Sequence, residues 1–458
     1  MRASWSAFCF ALVASSATAS PTLQVFTVNG SQRRVASAKY LGDVTVVQAA
    51  GLTPNTEYTL NNSLNYGKVT YQASVTMQSD ANGAIDTGVT SASGSYTGVD
   101  PDGLFWSMAT DSLPMRHHPF APAPISTSYN ISLMQNGSQV AAATLAIGET
   151  MPGVTTVSLN GTGLVGTLYL PNARGPRPAV IAFGGSEGGA DIGQMYAAAL
   201  ANQGYVALGL AYFGAKGVPQ TLTDIPLEYF QKAIQYLQSR PEVQAGQIAV
   251  MGASRGGELS LLLGSTFPQI KAVVALVPSS YLWSADDRTA GTSHPNAAWT
   301  YQGKALPFLN ATSNVQPCAT TADGHQAYCL RPVFEQAVAA SSAATLDQAS
   351  IKVEQTNGPI LLLGGQADEE WQSCVFSDTV LARLKANHHA FADEEMCFPN
   401  AGHLGMGPPG SPTTTDAIYY DPPYYDDLGG TAAGDAASQR ASWTKILQFL
   451  NVNLPFVF

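Results

Sequence analysis

From Ser20 to Glu149 apolar and polar residues alternate with a period of two. The pattern shows in Asp43-Val44-Thr45-Val46-Val47, Tyr58-Thr59-Leu60, Val69 through Met77 and Tyr129-Asn130-Ile131-Ser132-Leu133. Turn residues punctuate the runs at Gly51, Pro54-Asn55, Asn61-Asn62, Asn82-Gly83 and Asn136-Gly137. Short alternating runs between turn signals, with no stretch of helical period, predict strands that bury one face in an antiparallel β-sandwich.

The pattern changes after Thr150-Met151-Pro152-Gly153, which marks an expected domain boundary near residue 150. Val154–Leu159 and Leu164–Leu170 flank Asn160-Gly161, a hairpin signal. Apolar runs without alternation follow: Ala179–Phe183, Tyr205–Leu210, Ile248–Met251, Ala272–Val277 and Ile360–Leu363. Helical patterns separate them, as where Pro226 precedes Leu227, Phe230, Ile234 and Leu237 on one face. Strands apolar on both faces, each followed by a helix, predict a mostly parallel, doubly wound sheet. A helix is expected near Val375–Asn387, a strand ending at Phe398, and a last helix containing Trp443, Ile446 and Leu450. Residues 281–345 break the rhythm. They read as an insertion over the sheet's catalytic edge, a lid in which Trp283, Trp299 and Phe308 are candidates to line a pocket.

Composition narrows the classes. The 458 residues are 45% hydrophobic and only 12% charged, which excludes a disordered chain or a coiled coil. A formal net charge of −11 and the lack of a Lys/Arg cluster argue against nucleic acid as partner. Arg2, the apolar stretch Ala7–Ala14 and Ala17-Thr18-Ala19 read as a secretory signal cleaved after Ala19, so the mature chain is expected to be secreted or periplasmic. Beyond it no apolar run reaches membrane-span length. Export leaves Cys318, Cys329, Cys374 and Cys397, which fits two disulfides; Cys318–Cys329 with Cys374–Cys397 is the simplest of three pairings. None has Cys-x-x-Cys spacing, and neither a metal nor a cofactor is expected.

Gly252-Ala253-Ser254-Arg255-Gly256 matches G-x-S-x-G, in which serine occupies a strained turn from strand to helix. Gly184-Gly185-Ser186-Glu187-Gly188 matches as well. Context separates the two. Ser254 directly follows a strand, and Glu258 through Leu263 begin a helix at once. The Ser186 loop is broader and Gly-rich, which suits backbone donors. Ser254 is therefore the expected nucleophile. Arg255 N–H is the expected first oxyanion donor, and the N–H of Gly185 or Ser186 the second. In this arrangement an acid and then a histidine follow the serine. Asp368 lies just past strand Ile360–Leu363, and His403 sits among small residues in Asn400-Ala401-Gly402-His403-Leu404-Gly405. Glu369 and Glu370 read as solvated loop acids. His117-His118, His294, His325 and His388-His389 read as structural.

The chain resembles the acyl-coenzyme A thioesterases and bile acid-CoA:amino acid N-acyltransferases. The residues that carry the likeness are Pro226-Leu227-Glu228-Tyr229-Phe230, Arg240-Pro241-Glu242-Val243, Gly252 through Leu259, Gly402-His403 and the Trp443 helix. In the N-terminal half Gly94-Ser95-Tyr96-Thr97-Gly98 and Gly103-Leu104-Phe105-Trp106 are similar too. The resemblance implies an Ig-like domain over residues 20–150 followed by an α/β-hydrolase domain over 151–458, with a triad of Ser254, Asp368 and His403. Family members that conjugate amino acids carry cysteine at the nucleophile, so Ser254 implies hydrolysis of a small acyl ester or thioester. A secreted carboxylesterase or peptidase that does not use coenzyme A, and a non-catalytic surface-binding protein, remain open.

Overall fold

The computed structural model describes residues 20–29, 32–66, 69–110, 128–285, 296–311, 315–320, 324–410, 412–414, 417–420 and 424–456. The leader expected over 1–19, His117-His118 and His294 lie outside them.

The N-terminal half is two sheets packed face to face. Strands Gln32–Val35, Thr22–Asn29, Val44–Ala50 and Ile85–Asp86 form one, in that order. Ala38–Tyr40, Ser138–Gly148, Ser128–Gln135, Glu57–Tyr66, Val69–Gln78 and Ala92–Gly94 form the other. All pairs are antiparallel except Ala38–Tyr40 with Ser138–Gly148. Along Val69–Gln78 the buried residues Tyr71, Ala73, Val75 and Met77 alternate with exposed ones, as a half-buried strand requires. Among the described residues the one departure from the all-β expectation is a single helical turn, Gly103–Trp106, whose Leu104, Phe105 and Trp106 join the sandwich core.

The second half is built on eight strands: β1 (Thr155–Ser158), β2 (Val165–Leu170), β3 (Arg177–Phe183), β4 (Val206–Ala211), β5 (Val243–Ala253), β6 (Ile270–Leu276), β7 (Ile360–Gly365) and β8 (Glu394–Phe398). Their order across the sheet is β1-β2-β4-β3-β5-β6-β7-β8. Only the pairings of β2 with β1 and β4 are antiparallel. Helices α1 (Asp191–Asn202), α2 (Leu227–Gln238), α3 (Arg255–Thr266), α4 (Ser373–Ala386) and α5 (Ala432–Asn453) cover the two faces. In β3, Ala179, Ile181 and Phe183 face one core while Val180 and Ala182 face the other. Both faces are buried, which is why the sheet's strands read as unbroken apolar runs. This is an α/β-hydrolase sheet preceded by an antiparallel β-sandwich.

The insertion is better ordered than a loop. It holds helices Arg331–Ala340 and Ala343–Ala349, and its strands Pro317–Thr320 and Gln326–Tyr328 join a small sheet with Tyr424–Asp427 and Ala417–Tyr420. Cys318 is bonded to Cys329 and Cys374 to Cys397. Trp283 and Trp299 are fully buried, so they are core residues rather than pocket lining. Trp299 packs on Tyr212 and Phe230, and Trp283 on Phe334 and Phe376. Phe308 is half-buried against the same core as Trp299.

Candidate active site

Ser254 stands between β5 and α3 with φ 59° and ψ −124°, a backbone region that costs a non-glycine residue about 1–3 kcal/mol. The sequence makes this turn possible by omitting side chains around it. A Cβ at Gly252 would come within 2.4 Å of Gly256 O, and one at Gly256 within 2.2 Å of Gly184 O. The next residue, Arg255, opens α3. Its guanidinium donates to the carbonyls of Trp283 and Ser284 at 3.1 and 3.2 Å and pairs with Glu258 at 3.3 Å. Glu258 is completely buried and also accepts from Trp299 Nε1 at 2.7 Å. Burial pushes its carboxyl up to about 6, with Arg255 and Trp299 acting in the opposite direction. The insertion is thus anchored to the helix that follows the serine.

The Gly184–Gly188 loop lies against this turn: a Cβ at Gly185 would sit 3.0 Å from Ser254 Cβ. Tyr212 holds the loop from below by donating to Gly184 O at 3.0 Å and Gly185 O at 3.3 Å. The two N–H groups left open by the sequence are not equivalent. Gly185 N–H donates to both carboxylate oxygens of Glu187, at 2.8 and 2.9 Å. Gly185 is therefore not a free donor here: a carboxylate two residues on folds back and accepts its N–H. The N–H groups of Ser186 and Arg255 donate to nothing among the described residues.

Past the ends of β7 and β8 the acid and the histidine meet. Asp368 follows β7 and is fully buried, and His403 follows β8. His403 Nδ1 lies 3.0 Å from each oxygen of Asp368. Asp368 also accepts from the backbone N–H of Glu370 and Trp371, at 3.0 and 3.2 Å, which fixes its carboxylate. Trp371 sets its edge against the imidazole at 5.6 Å. Burial works to lower the His403 pKa, but the charge and hydrogen bond of Asp368, with Glu370 and Glu187 behind them, carry it above the ordinary 6.5. His403 Nε2 is buried and has no hydrogen-bond partner among the described residues.

His403 belongs to the wall of a cleft that Ser254, Gly185 and Ser186 also line. Ile192, Met195 and Tyr196 of α1 and Leu404, Met406 and Leu428 make its apolar wall. Glu187, Glu370 and Asp426 also line it, while no Lys or Arg does among the described residues. Glu370 thus faces the site instead of solvent, because the two N–H bonds to Asp368 curl the loop back. His325 stacks on Tyr425 in the small sheet, and His389 bonds to Asp393 and Thr356 O, so both are structural. One group has metal-ligand proximity, Cys318, Cys329 and Asp427, but its two sulfurs are bonded to each other.

Two family models match the chain: "BAAT / Acyl-CoA thioester hydrolase C terminal" over residues 225–455, and "Acyl-CoA thioester hydrolase/BAAT N-terminal region" over 43–160. The chain belongs to the BAAT/acyl-CoA thioester hydrolase family. Acyl-coenzyme A thioesterase 1 of Mus musculus is 27% identical over 421 residues, which cover 89% of this chain and 93% of the mouse protein. Mitochondrial acyl-coenzyme A thioesterase 2 of Homo sapiens is 28% identical, over 89% of this chain and 81% of the human protein. Solved structures of similar shape include a putative dienelactone hydrolase from Klebsiella pneumoniae (TM-score 0.38, 16% identity, 65% of this chain and 97% of that one). A puromycin-hydrolyzing peptidase from Mycobacterium tuberculosis also matches (TM-score 0.41, 14% identity, 90% of this chain and 66% of that one).

This acyl-CoA thioester hydrolase family member carries pocket residues that its sequence pattern does not announce. Asp426 and Leu428 reach the cleft from the segment between His403 and α5, remote in the sequence from any strand end of the large sheet. Met195 and Tyr196 belong to a helix whose apolar stripe reads as ordinary core. Among the described residues no helix is long and apolar enough to cross a membrane.

Proposed function

We propose that the protein hydrolyses small acyl esters and thioesters through an acyl-enzyme on Ser254, with His403 as general base and Asp368 as the residue that orients it. The observation that carries the reading is the buried Asp368–His403 pair, whose unengaged Nε2 shares one cleft with a serine in a strained strand-to-helix turn. Ser254 Oγ attacks the acyl carbonyl while His403 Nε2 takes its proton. The negative charge moves to the carbonyl oxygen, where Arg255 and Ser186 N–H groups receive it. As the tetrahedral intermediate collapses, His403 returns the proton to the departing alkoxide or thiolate. Water then attacks the acyl-serine by the same route, giving the free acid and regenerating Ser254.

One observation favours plain esters over coenzyme A thioesters. The cleft is lined by Glu187, Glu370 and Asp426 with no Lys or Arg among its described lining residues, whereas coenzyme A is polyanionic. Ser254 in place of cysteine supports hydrolysis over transfer to an amino acid, and the secretory signal expected over residues 1–19 supports action outside the cytoplasm. The test is Ser254→Ala assayed on a p-nitrophenyl ester and an acyl-CoA. Loss of both activities with unchanged thermal unfolding is expected; wild-type turnover in the variant contradicts the assignment. A ratio of ester to acyl-CoA turnover well above one supports the plain-ester reading.

A further inference from the structure

Glu187 stands at the centre of the loop that faces Ser254. Its carboxylate accepts the Gly185 N–H with both oxygens and fills the space where a Cβ at Gly184 would stand: that atom would lie 1.8 Å from Oε1. A side chain at 184 would therefore displace this carboxylate from its place on Gly185 N–H. The two residues after it, Gly188 and Gly189, both have positive φ (68° and 72°), so the chain turns immediately and returns toward α1. Tyr212 completes the frame by donating to the Gly184 and Gly185 carbonyls. Both the N–H and the C=O of Gly185 are thus engaged, one by Glu187 and the other by Tyr212, and the next N–H along the chain is that of Ser186, which donates to no described group.

We propose that Glu187 is a positioning residue: by holding the Gly185 peptide it removes that N–H from the oxyanion site and presents Ser186 N–H there beside Arg255 N–H. The proposal rests on Ser254 being the nucleophile. A carboxylate in this place has a second consequence. It adds negative potential near His403, together with Asp368 and Glu370, and so helps keep the imidazole protonated to higher pH. The other ionisable groups around it are Tyr196 and Tyr212, both held neutral by burial first and by the Glu187 charge second, with Arg255 and Glu258 beneath the turn and Asp426 across the cleft.

The two consequences separate in two variants. Glu187→Ala removes both the acceptor for Gly185 N–H and the charge. Glu187→Gln keeps an acceptor oxygen and removes the charge alone. Ester hydrolysis by Glu187→Ala is expected to fall in kcat on the order of a hundredfold, the effect of losing one oxyanion donor, with KM little changed. Glu187→Gln is expected to lose less, and in both variants the acid limb of the kcat/KM profile moves to lower pH. A Glu187→Ala enzyme as fast as wild type, or faster, overturns the positioning role, and an acid limb that stays in place in both variants overturns the electrostatic one. Ser254→Ala, run in parallel, separates this from failure of the underlying reading. If Ser254→Ala is inactive and Glu187→Ala is as fast as wild type, only the Glu187 proposal falls; if Ser254→Ala is active, the nucleophile itself is misassigned.

Discussion

At the level of single residues, the pH behaviour follows from how His403 is surrounded. As a general base it acts only when neutral. Its pKa is raised because Asp368, Glu370 and Glu187 outweigh burial, so the neutral fraction develops only above the ordinary 6.5. Activity is therefore expected to rise with pH along a limb whose midpoint lies above 6.5. Asp368→Asn removes the largest of the opposing charges and leaves burial, which lowers the pKa. In that variant the limb is expected to move to lower pH while kcat falls on the order of ten-thousandfold, because the tautomer is no longer held. Kinetic pH profiles of both enzymes check this; coincident limbs contradict it. The stability sign is the reverse: a raised histidine pKa stabilises the fold at low pH, and that contribution fades as pH rises through the folded-state value.

Among elements, the acid and histidine loops are joined covalently. Cys374 is the second residue of α4, six residues after Asp368, and Cys397 lies on β8 six residues before His403. The bridge closes a loop of 23 residues in sequence separation. In the chain-entropy model a loop of this size stabilises the fold by about 3 kcal/mol. Cys374→Ser with Cys397→Ser is expected to lower the unfolding midpoint and, by loosening the Asp368–His403 pair, kcat as well. The corresponding Cys318 and Cys329 variant serves as comparison, since that bridge closes a hairpin at the edge of the insertion. Equal losses of kcat from the two pairs contradict a special role for the first. The strands and helices that carry Ser254, Asp368 and His403 were legible in the sequence because each follows a simple rule. Buried parallel strands are continuous apolar runs, and the tight turn at Ser254 needs Gly252 and Gly256. The insertion was not legible. Its helix Arg331–Ala340 buries only Val333 fully, so its apolar pattern is faint, and an apolar tryptophan does not reveal whether it faces a cleft or a core. Glu187 and Glu370 were missed for a related reason. Their placement depends on a side chain folding back on Gly185 N–H and on a loop curling around Asp368, local geometry that residue type alone does not specify.

Across the whole molecule, the sandwich reaches the site through α5. The helix contributes Ala436 to the sandwich core, Arg440 to a 2.9 Å pair with Asp100, and Trp443 to a close packing on Gly42. Its inner face holds the histidine loop: Asp435 accepts from Gly402 N–H at 2.8 Å, Ser438 donates to Gly405 O at 2.7 Å and Gln439 to Leu404 O at 3.1 Å. Asp435→Ala is expected to lower kcat more than it raises KM, measured on the same ester, because it frees the loop on which His403 rides while leaving Ile192, Met195 and Tyr196 of the apolar wall in place. A rise in KM with kcat unchanged contradicts that link. The central claim is that Ser254 is the acylated residue. The most direct measurement is labelling of the intact protein with a fluorophosphonate, followed by peptide mapping. One adduct per chain, on the peptide containing Ser254, is expected, with hydrolysis lost in proportion to labelling. An adduct on Ser186, or full hydrolysis after complete labelling of Ser254, contradicts it.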